Sequence, residues 1–300
     1  MKILRILTAG LIFISCHNVQ KEYYDNGVLK KEFSLKKGQL QGNYKEYYDN
    51  GKLKLAHHYY DGKKIDSSMF FYSRTNENIK LKKKWFDDGN YYKKEFYPNG
   101  IIKEEGLVLN TNIAVGRWKF YDNDGKLNEI RIYKNIRDES YLNQGYKFNK
   151  KGDTLVYGTN FVDISLYRDT IRLNEPMRAI VFMASKFFKS KESKMMVFLA
   201  KGSSNFTKNF SNESKIVLDT FYDLTKDTIN QKYYKNFDFS KIVVFGKWFD
   251  KTGRKDIRGY VSEYYEKEPT ENDSIVKEER IIYFDIPIYV KDSVPNDTSN

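Results

Sequence analysis

The sequence predicts an all-β protein, an N-terminal array of repeated antiparallel β-hairpins followed by a β-sandwich module. Three observations carry the expectation. Asn-Gly or Asp-Gly recurs six times in the first 125 residues, at Gly27, Gly51, Gly62, Gly89, Gly100 and Gly125. Aromatic residues precede most of these turns, and alternating apolar and charged residues follow them, the period-2 pattern of a half-solvated strand. Past residue 158 the chain changes to short apolar runs rich in β-branched and aromatic residues, and helical spacing is sustained nowhere.

In chain order, Met1-Lys2-Ile3-Leu4-Arg5 is a basic start, and Ile6 to Ile14 is apolar but too short to span a bilayer as a stable helix. The segment ends in Leu11-Ile12-Phe13-Ile14-Ser15-Cys16, which resembles the processing site of bacterial lipoproteins, with Phe13 where Leu is usual. The resemblance implies a signal peptide over residues 1–15 and acylation of Cys16. That residue is the chain's one cysteine, so it has no intramolecular disulfide partner. Acyl chains on Cys16 would make the membrane a partner, and more than one chain anchors stably. Residues 16–22 are then expected to be a short tether. His17 stands where an Asp would signal inner-membrane retention in enteric bacteria. The implied location is the cell envelope, at the outer membrane, with the leaflet open.

Residues 23–157 hold the repeat. Tyr23-Tyr24-Asp25-Asn26-Gly27-Val28-Leu29-Lys30 returns as Tyr47-Tyr48-Asp49-Asn50-Gly51-Lys52-Leu53-Lys54. Asn-Gly and Asp-Gly suit a type I′ turn, with positive φ at both central positions. The turn glycines are 24 residues apart at Gly27 and Gly51 and 25 apart at Gly100 and Gly125, but 38 apart at Gly51 and Gly89. The array is thus irregular, with an expected insertion around residues 67–79. Leu29, Phe33 and Leu35 share one strand face, interrupted by Lys31, and Leu53, Leu55, His57 and Tyr59 repeat the pattern. One hairpin is marginal in water, so several must stack.

The cassette Gly-x-x-x-x-Tyr-Tyr-x-Asn-Gly-x-Leu-Lys, read over Gly42 to Lys54, resembles the variant MORN repeat of bacterial proteins, some of them labelled antitoxin-like. The likeness is clear there, good over residues 94–103 and 116–127, weak over residues 82–91, and degenerate over residues 148–155. It implies an extended, twisted sheet of hairpins and carries no catalytic residues.

Residues 158–293 are expected to form the sandwich, from runs such as Ala179 to Ala184, Met195 to Ala200, Ile242 to Phe245 and Ile281 to Phe284. Asn174-Glu175-Pro176 reads as a turn between strands. The spacing of Trp248, Tyr260, Tyr283 and Tyr289 loosely resembles small immunoglobulin-like modules of exported bacterial proteins. Trp248 to Gly253 echoes the repeat by coincidence. Residues 294–300 are polar and read as a disordered tail.

Chemistry is sparse. The histidines are His17, His57 and His58, and the last two point to opposite faces of a strand, so they cannot share a metal. No metal site, cofactor or catalytic residue is expected, and the chain reads as a non-enzyme. Glu263 and Glu266 lie beside tyrosines, as in a carbohydrate site, but read as an exposed strand edge. The formal net charge is +12, and +10 once Lys2 and Arg5 leave with the signal. Acidic residues are interspersed among the lysines, so nucleic acid is not expected; anionic lipid or polysaccharide of the envelope suits the charge better. Tyr23, Tyr47, Tyr92 and Tyr121 are the candidate partner contacts, since Tyr supplies rigid amphipathic area. The expected function is binding of a protein or envelope component by the repeat surface. The alternatives are an antitoxin-like or immunity role, carried by the resemblance, and glycan binding or cleavage.

Overall fold

The computed structural model describes residues 18–71, 78–189, 191–268 and 277–292. Residues 1–15, read above as a signal peptide, Cys16, His17 and residues 294–300, read as a tail, lie outside these residues. The chain forms two compact units, Met1–Gly100 and Ile101–Asn300.

The first unit contains β1 (Asn18–Tyr23), β2 (Leu29–Lys36), β3 (Gln39–Leu40), β4 (Gly42–Tyr47), β5 (Leu53–Tyr60), β6 (Lys63–Phe71), β7 (Ile79–Trp85) and β8 (Tyr91–Phe96). They form one antiparallel sheet in the order β1-β2-β4-β5-β6-β7-β8, with β3 beside β2. Two expectations change here. Residues 18–22 are not a tether but most of β1, paired along β2 from Asn18 with Leu35 to Glu22 with Lys31. The supposed insertion at 67–79 begins and ends in strand: β6 and β7 pair from Ser67 with Lys84 to Phe70 with Leu81 and, after a bulge, Phe71 with Ile79, while residues 72–77 lie outside the described residues. Ser67-Ser68 and a run of lysines hid these strands, because strand alternation tolerates polar residues on both faces of a single-layer sheet.

The turns also differ from expectation. Asn26, Asn50, Asp88, Asn99 and Asp124 do not have positive φ; their glycines do, at 79°, 81°, 81°, 86° and 81°. In the Gly27 turn the Gly27 N–H donates to the Tyr24 carbonyl (2.9 Å), and the Tyr24 N–H to the Val28 carbonyl (2.8 Å). That is a type I turn closed by a left-handed glycine, the three-residue hairpin loop. Asn26 Oδ1 accepts the Val28 N–H at 3.1 Å, and Asn50 Oδ1 the Lys52 N–H at 3.1 Å, so the Asn side chain secures the next strand. Positive φ at both central residues occurs at Asp61-Gly62, as expected of type I′, and at Lys37-Gly38 and Arg137-Asp138.

The same loop recurs where the sequence pattern fades. Gly89 donates to Phe86 (3.0 Å) and Gly152 to Asn149 (3.0 Å). At Leu109-Asn110-Thr111-Asn112, Asn112 takes the glycine's place at φ 63° and donates to the Leu109 carbonyl. Asn tolerates left-handed φ better than other residues with a side chain.

The second unit contains β9 (Ile102–Val108), β10 (Ala114–Tyr121), β11 (Leu127–Ile136), β12 (Glu139–Phe148), β13 (Thr154–Leu166), β14 (Thr170–Arg172), β15 (Met177–Ser185), β16 (Lys194–Ala200), β17 (Leu218–Tyr222), β18 (Ile242–Lys247), β19 (Gly253–Glu266) and β20 (Lys277–Lys291). Strands β9-β10-β11-β12-β13-β15-β18 are consecutive neighbours, and a second sheet runs β14-β20-β19-β16-β17. The long β13 joins hairpins to sandwich: Thr154, Leu155 and Asn160 pair with β12, with an irregularity between them, and residues 161–166 pair with β15. One apolar core, including Val181, Met183, Val197, Val243, Val261 and Phe284, draws on both sheets. The fold is therefore all-β, two sheets on one core, though this strand order does not by itself identify immunoglobulin connectivity. Trp248 to Gly253 connects β18 to β19 across the two sheets, so its likeness to a repeat hairpin is coincidental.

Residues 101–157, repeat-like in sequence, belong to this unit through a second core. Ile136 and, partly buried, Tyr141 pack with Phe206, Phe210, Tyr260 and Tyr283. Residue Asn143 is skipped in the β11–β12 register, so its side chain leaves the hairpin and meets β20. It donates to the Tyr283 carbonyl at 2.9 Å and accepts the Tyr283 N–H at 2.8 Å. Arg280 donates to the Asn143 carbonyl at 3.0 Å, and also to the Leu142 carbonyl and the Tyr141 hydroxyl.

Candidate functional site

Repetition makes the first unit a surface rather than a pocket. Tyr24 Oη donates to the Tyr47 carbonyl at 2.8 Å, Tyr48 Oη reaches the Phe71 carbonyl at 3.4 Å, and Asn26 Nδ2 donates to the Asp49 carbonyl at 3.0 Å. Each bond spans 23 residues and ties one hairpin to the next. The second tyrosine of each cassette is thus a staple, which the sequence reading missed; the 24-residue return of Tyr-Tyr was the signal available for it.

Tyr23, Tyr47 and Tyr121 occupy the first position of the cassette, four residues before the turn glycine, and Tyr92 lies in the strand after the Gly89 turn. Tyr23 is exposed. Tyr47, Tyr92 and Tyr121 are half-buried. Tyr121 Oη donates to Glu105 at 2.7 Å, and Lys94 lies 6.0 Å from the Tyr92 ring centre. Tyr23, Tyr47 and Tyr92 belong to the first unit and Tyr121 to the second.

One face of the first sheet carries an aromatic ladder. Ring centres of Phe33 and Tyr44 lie 5.8 Å apart, Tyr44 and His57 6.0 Å, and His57 and Phe70 5.4 Å, one step per strand. Further along, Trp85 packs against Tyr91 with ring centres 4.7 Å apart and planes tilted by 50°, and Lys83 sits 4.1 Å above the Tyr91 ring. Lys93 pairs with Glu95 at 2.9 Å on the same face.

The opposite face is basic. In β7, Lys80, Lys82 and Lys84 are exposed, whereas Ile79, Leu81, Lys83 and Trp85 are half-buried. Register puts Lys82 directly opposite Lys94, and Lys84 opposite Tyr92. Like charges facing one another across a strand pair are destabilising. Glu95, the one carboxylate of β7 and β8, points the other way.

His57 and His58 fall on opposite faces as expected. His58 Nδ1 lies 2.8 Å from Asn43 Oδ1, while His57 is 8% exposed, and its Nδ1 has no hydrogen-bond partner among the described residues. Burial pulls the His57 imidazole down to about 4, helped by Lys64 and Lys83 and opposed by Glu46. Because the folded value lies below the free imidazole's 6.5, the unfolded chain takes up this proton first. The stabilising contribution is therefore whole above about pH 6.5, is lost as the pH falls towards 4, and stays lost below that. A gap of this size amounts to about 3 kcal/mol. Urea unfolding at pH 7 and pH 4 should show a smaller loss for His57→Phe than for the native chain; equal losses would refute the assignment.

Glu263 is not at an exposed edge. It is 2% exposed and accepts the Phe187 N–H (2.7 Å), the Phe188 N–H (3.2 Å) and the Ser193 hydroxyl (2.7 Å). Its charge is spent on holding the β15–β16 loop, a long-range partnership that no local pattern announces. Glu266 is exposed. No group of three or more His, Cys, Asp and Glu side chains among the described residues could hold a metal ion. No helix among them is long and apolar enough to cross a membrane.

A family model described as MORN repeat variant matches four segments, residues 17–37, 40–61, 92–110 and 114–135. The matches cover the hairpins where the resemblance was clear or good and omit residues 62–91, where β6 and β7 still continue the sheet. A search of curated proteins finds no match.

Proposed function

We propose that this is a non-enzymatic, lipid-anchored protein of the bacterial cell envelope that uses the face of its hairpin array to bind a protein or an envelope component. The observation that carries the reading is the basic face of β7 and β8. Lys80, Lys82 and Lys84 of β7 are exposed on one face, and Lys82 lies opposite Lys94 of β8, a concentration of positive charge that an anionic partner would complement. Beside that face the Asn78 amide donates to the Pro98 carbonyl at 2.7 Å, tying the segment before β7 to the turn after β8 before binding, so less entropy is lost on docking. The non-enzymatic part rests on the scarcity of histidine and cysteine. The anchor rests on the lipoprotein-like segment ending at Cys16.

One experiment tests both parts in cells. Palmitate should label the full chain and not Cys16→Ala; continued labelling sinks the anchor. In the labelled protein, a photo-cross-linker at Tyr92 should trap a partner, and one at the buried Met195 should not. Failure at Tyr92, with cross-links formed from Trp248 instead, would move binding to the second unit.

A further inference from the structure

We propose that a cleft on the outer face of β15 and β18, in the second unit, binds a neutral glycan chain. The carbohydrate-like pair of the sequence, Glu263 and Glu266, does not form a site: the Glu263 carboxylate is occupied by the β15–β16 loop and Glu266 is exposed. The cleft is a separate place and goes beyond the repeat-surface function. Its volume is about 930 Å³, and it adjoins a smaller hollow of about 270 Å³ that shares Tyr167, Pro176 and Arg178. Two joined hollows open to solvent suit a chain of units better than one compact molecule.

The lining supplies both halves of sugar recognition. Tyr167, Tyr233 and Trp248 are 60%, 69% and 61% exposed, an unusual density of bare rings around one hollow. A pyranose presents a patch of C–H groups that packs on such faces. Between the rings lie Arg178, Asp227 and Asn230, planar groups that can meet neighbouring hydroxyls in pairs. These groups are preorganised. Asn230 Nδ2 donates to Asp227 at 2.6 Å, the Tyr167 and Tyr234 hydroxyls lie 2.5 Å apart, and Lys232 sits 5.0 Å above the Tyr233 ring.

A peptide added as a strand fits poorly, because β15 is already paired on both edges, with β13 and β18, and the outer edge of β18 is met at Ile242 and Val243 by the Asp223–Leu224 segment. A proline-rich peptide is the competing ligand, since it too docks on aromatic grooves.

The test uses the full chain and four probes, chito-, cello-, xylo- and mannotetraose, read by tryptophan fluorescence and calorimetry. At least one should bind, and Trp248→Ala with Tyr233→Ala should weaken it roughly thirtyfold. Both rings are mostly exposed, so the melting temperature of the double variant should stay near that of the native chain. Three results would overturn the proposal: no tetraose binding at millimolar concentration, binding unchanged in the double variant, or decaproline binding more tightly than every sugar.

Discussion

Replacing Asn143 with alanine should destabilise the second unit by about 3–4 kcal/mol. The side chain is fully buried, and its amide meets both the N–H and the C=O of Tyr283. Alanine strands both backbone groups where water does not reach, and each unsatisfied group costs about 1–3 kcal/mol. The two bonds are also part of the join between the β11–β12 hairpin and β20, beside those from Arg280 and Tyr141. Hydrogen exchange at the Tyr283 amide should therefore accelerate beyond the global change in stability. A loss below about 1 kcal/mol would mean that a relaxed backbone or a water replaces the amide. Asn143→Asp keeps an acceptor for the Tyr283 N–H but loses the donor, so it should also fall short of the native chain.

Gly259→Ala should cost about 3 kcal/mol or more and lower the melting temperature by about 6–12 °C. A Cβ there would sit 2.5 Å from the Phe198 carbonyl, 2.6 Å from Leu199 Cδ2 and 2.7 Å from Phe284 Cζ. The first of these is backbone in β16, paired to β19 in register with Leu199 opposite Gly259, so it cannot swing aside. Gly27→Ala is the control. Nothing lies within 4 Å of its would-be Cβ, and only its φ of 79° resists, at a cost of about 1–2 kcal/mol. Similar effects at the two sites would show that close packing is not what Gly259 provides.

The array was legible because its rules are local. Asn26-Gly27 and Asn50-Gly51 mark their turns within four residues, and the two-residue alternation of Leu53, Leu55 and His57 sets the face. The same locality explains the errors. A type I turn closed by a left-handed glycine and a type I′ turn both accept Asn-Gly, and the choice depends on how the flanking strands pair. Asn112 in a glycine's role, and strands β6 and β7 with their lysines, lacked the expected residue types while keeping the geometry. Among the candidate contacts, the equivalence of Tyr23 and Tyr47 was visible, but not that their neighbours Tyr24 and Tyr48 staple successive hairpins.

By itself the sequence determined an all-β chain of Asn-Gly and Asp-Gly hairpins leading into apolar strands, because turn chemistry and strand alternation act over a few residues. Only the tertiary structure decided that Glu263 is buried under a loop, that Asn143 joins a repeat hairpin to β20, and that Tyr167, Tyr233 and Trp248 meet at one cleft. Those pairings span about 70 to 140 residues. They exist only once sheets stack and long loops close, when burial leaves each polar group to find the partner that water no longer provides.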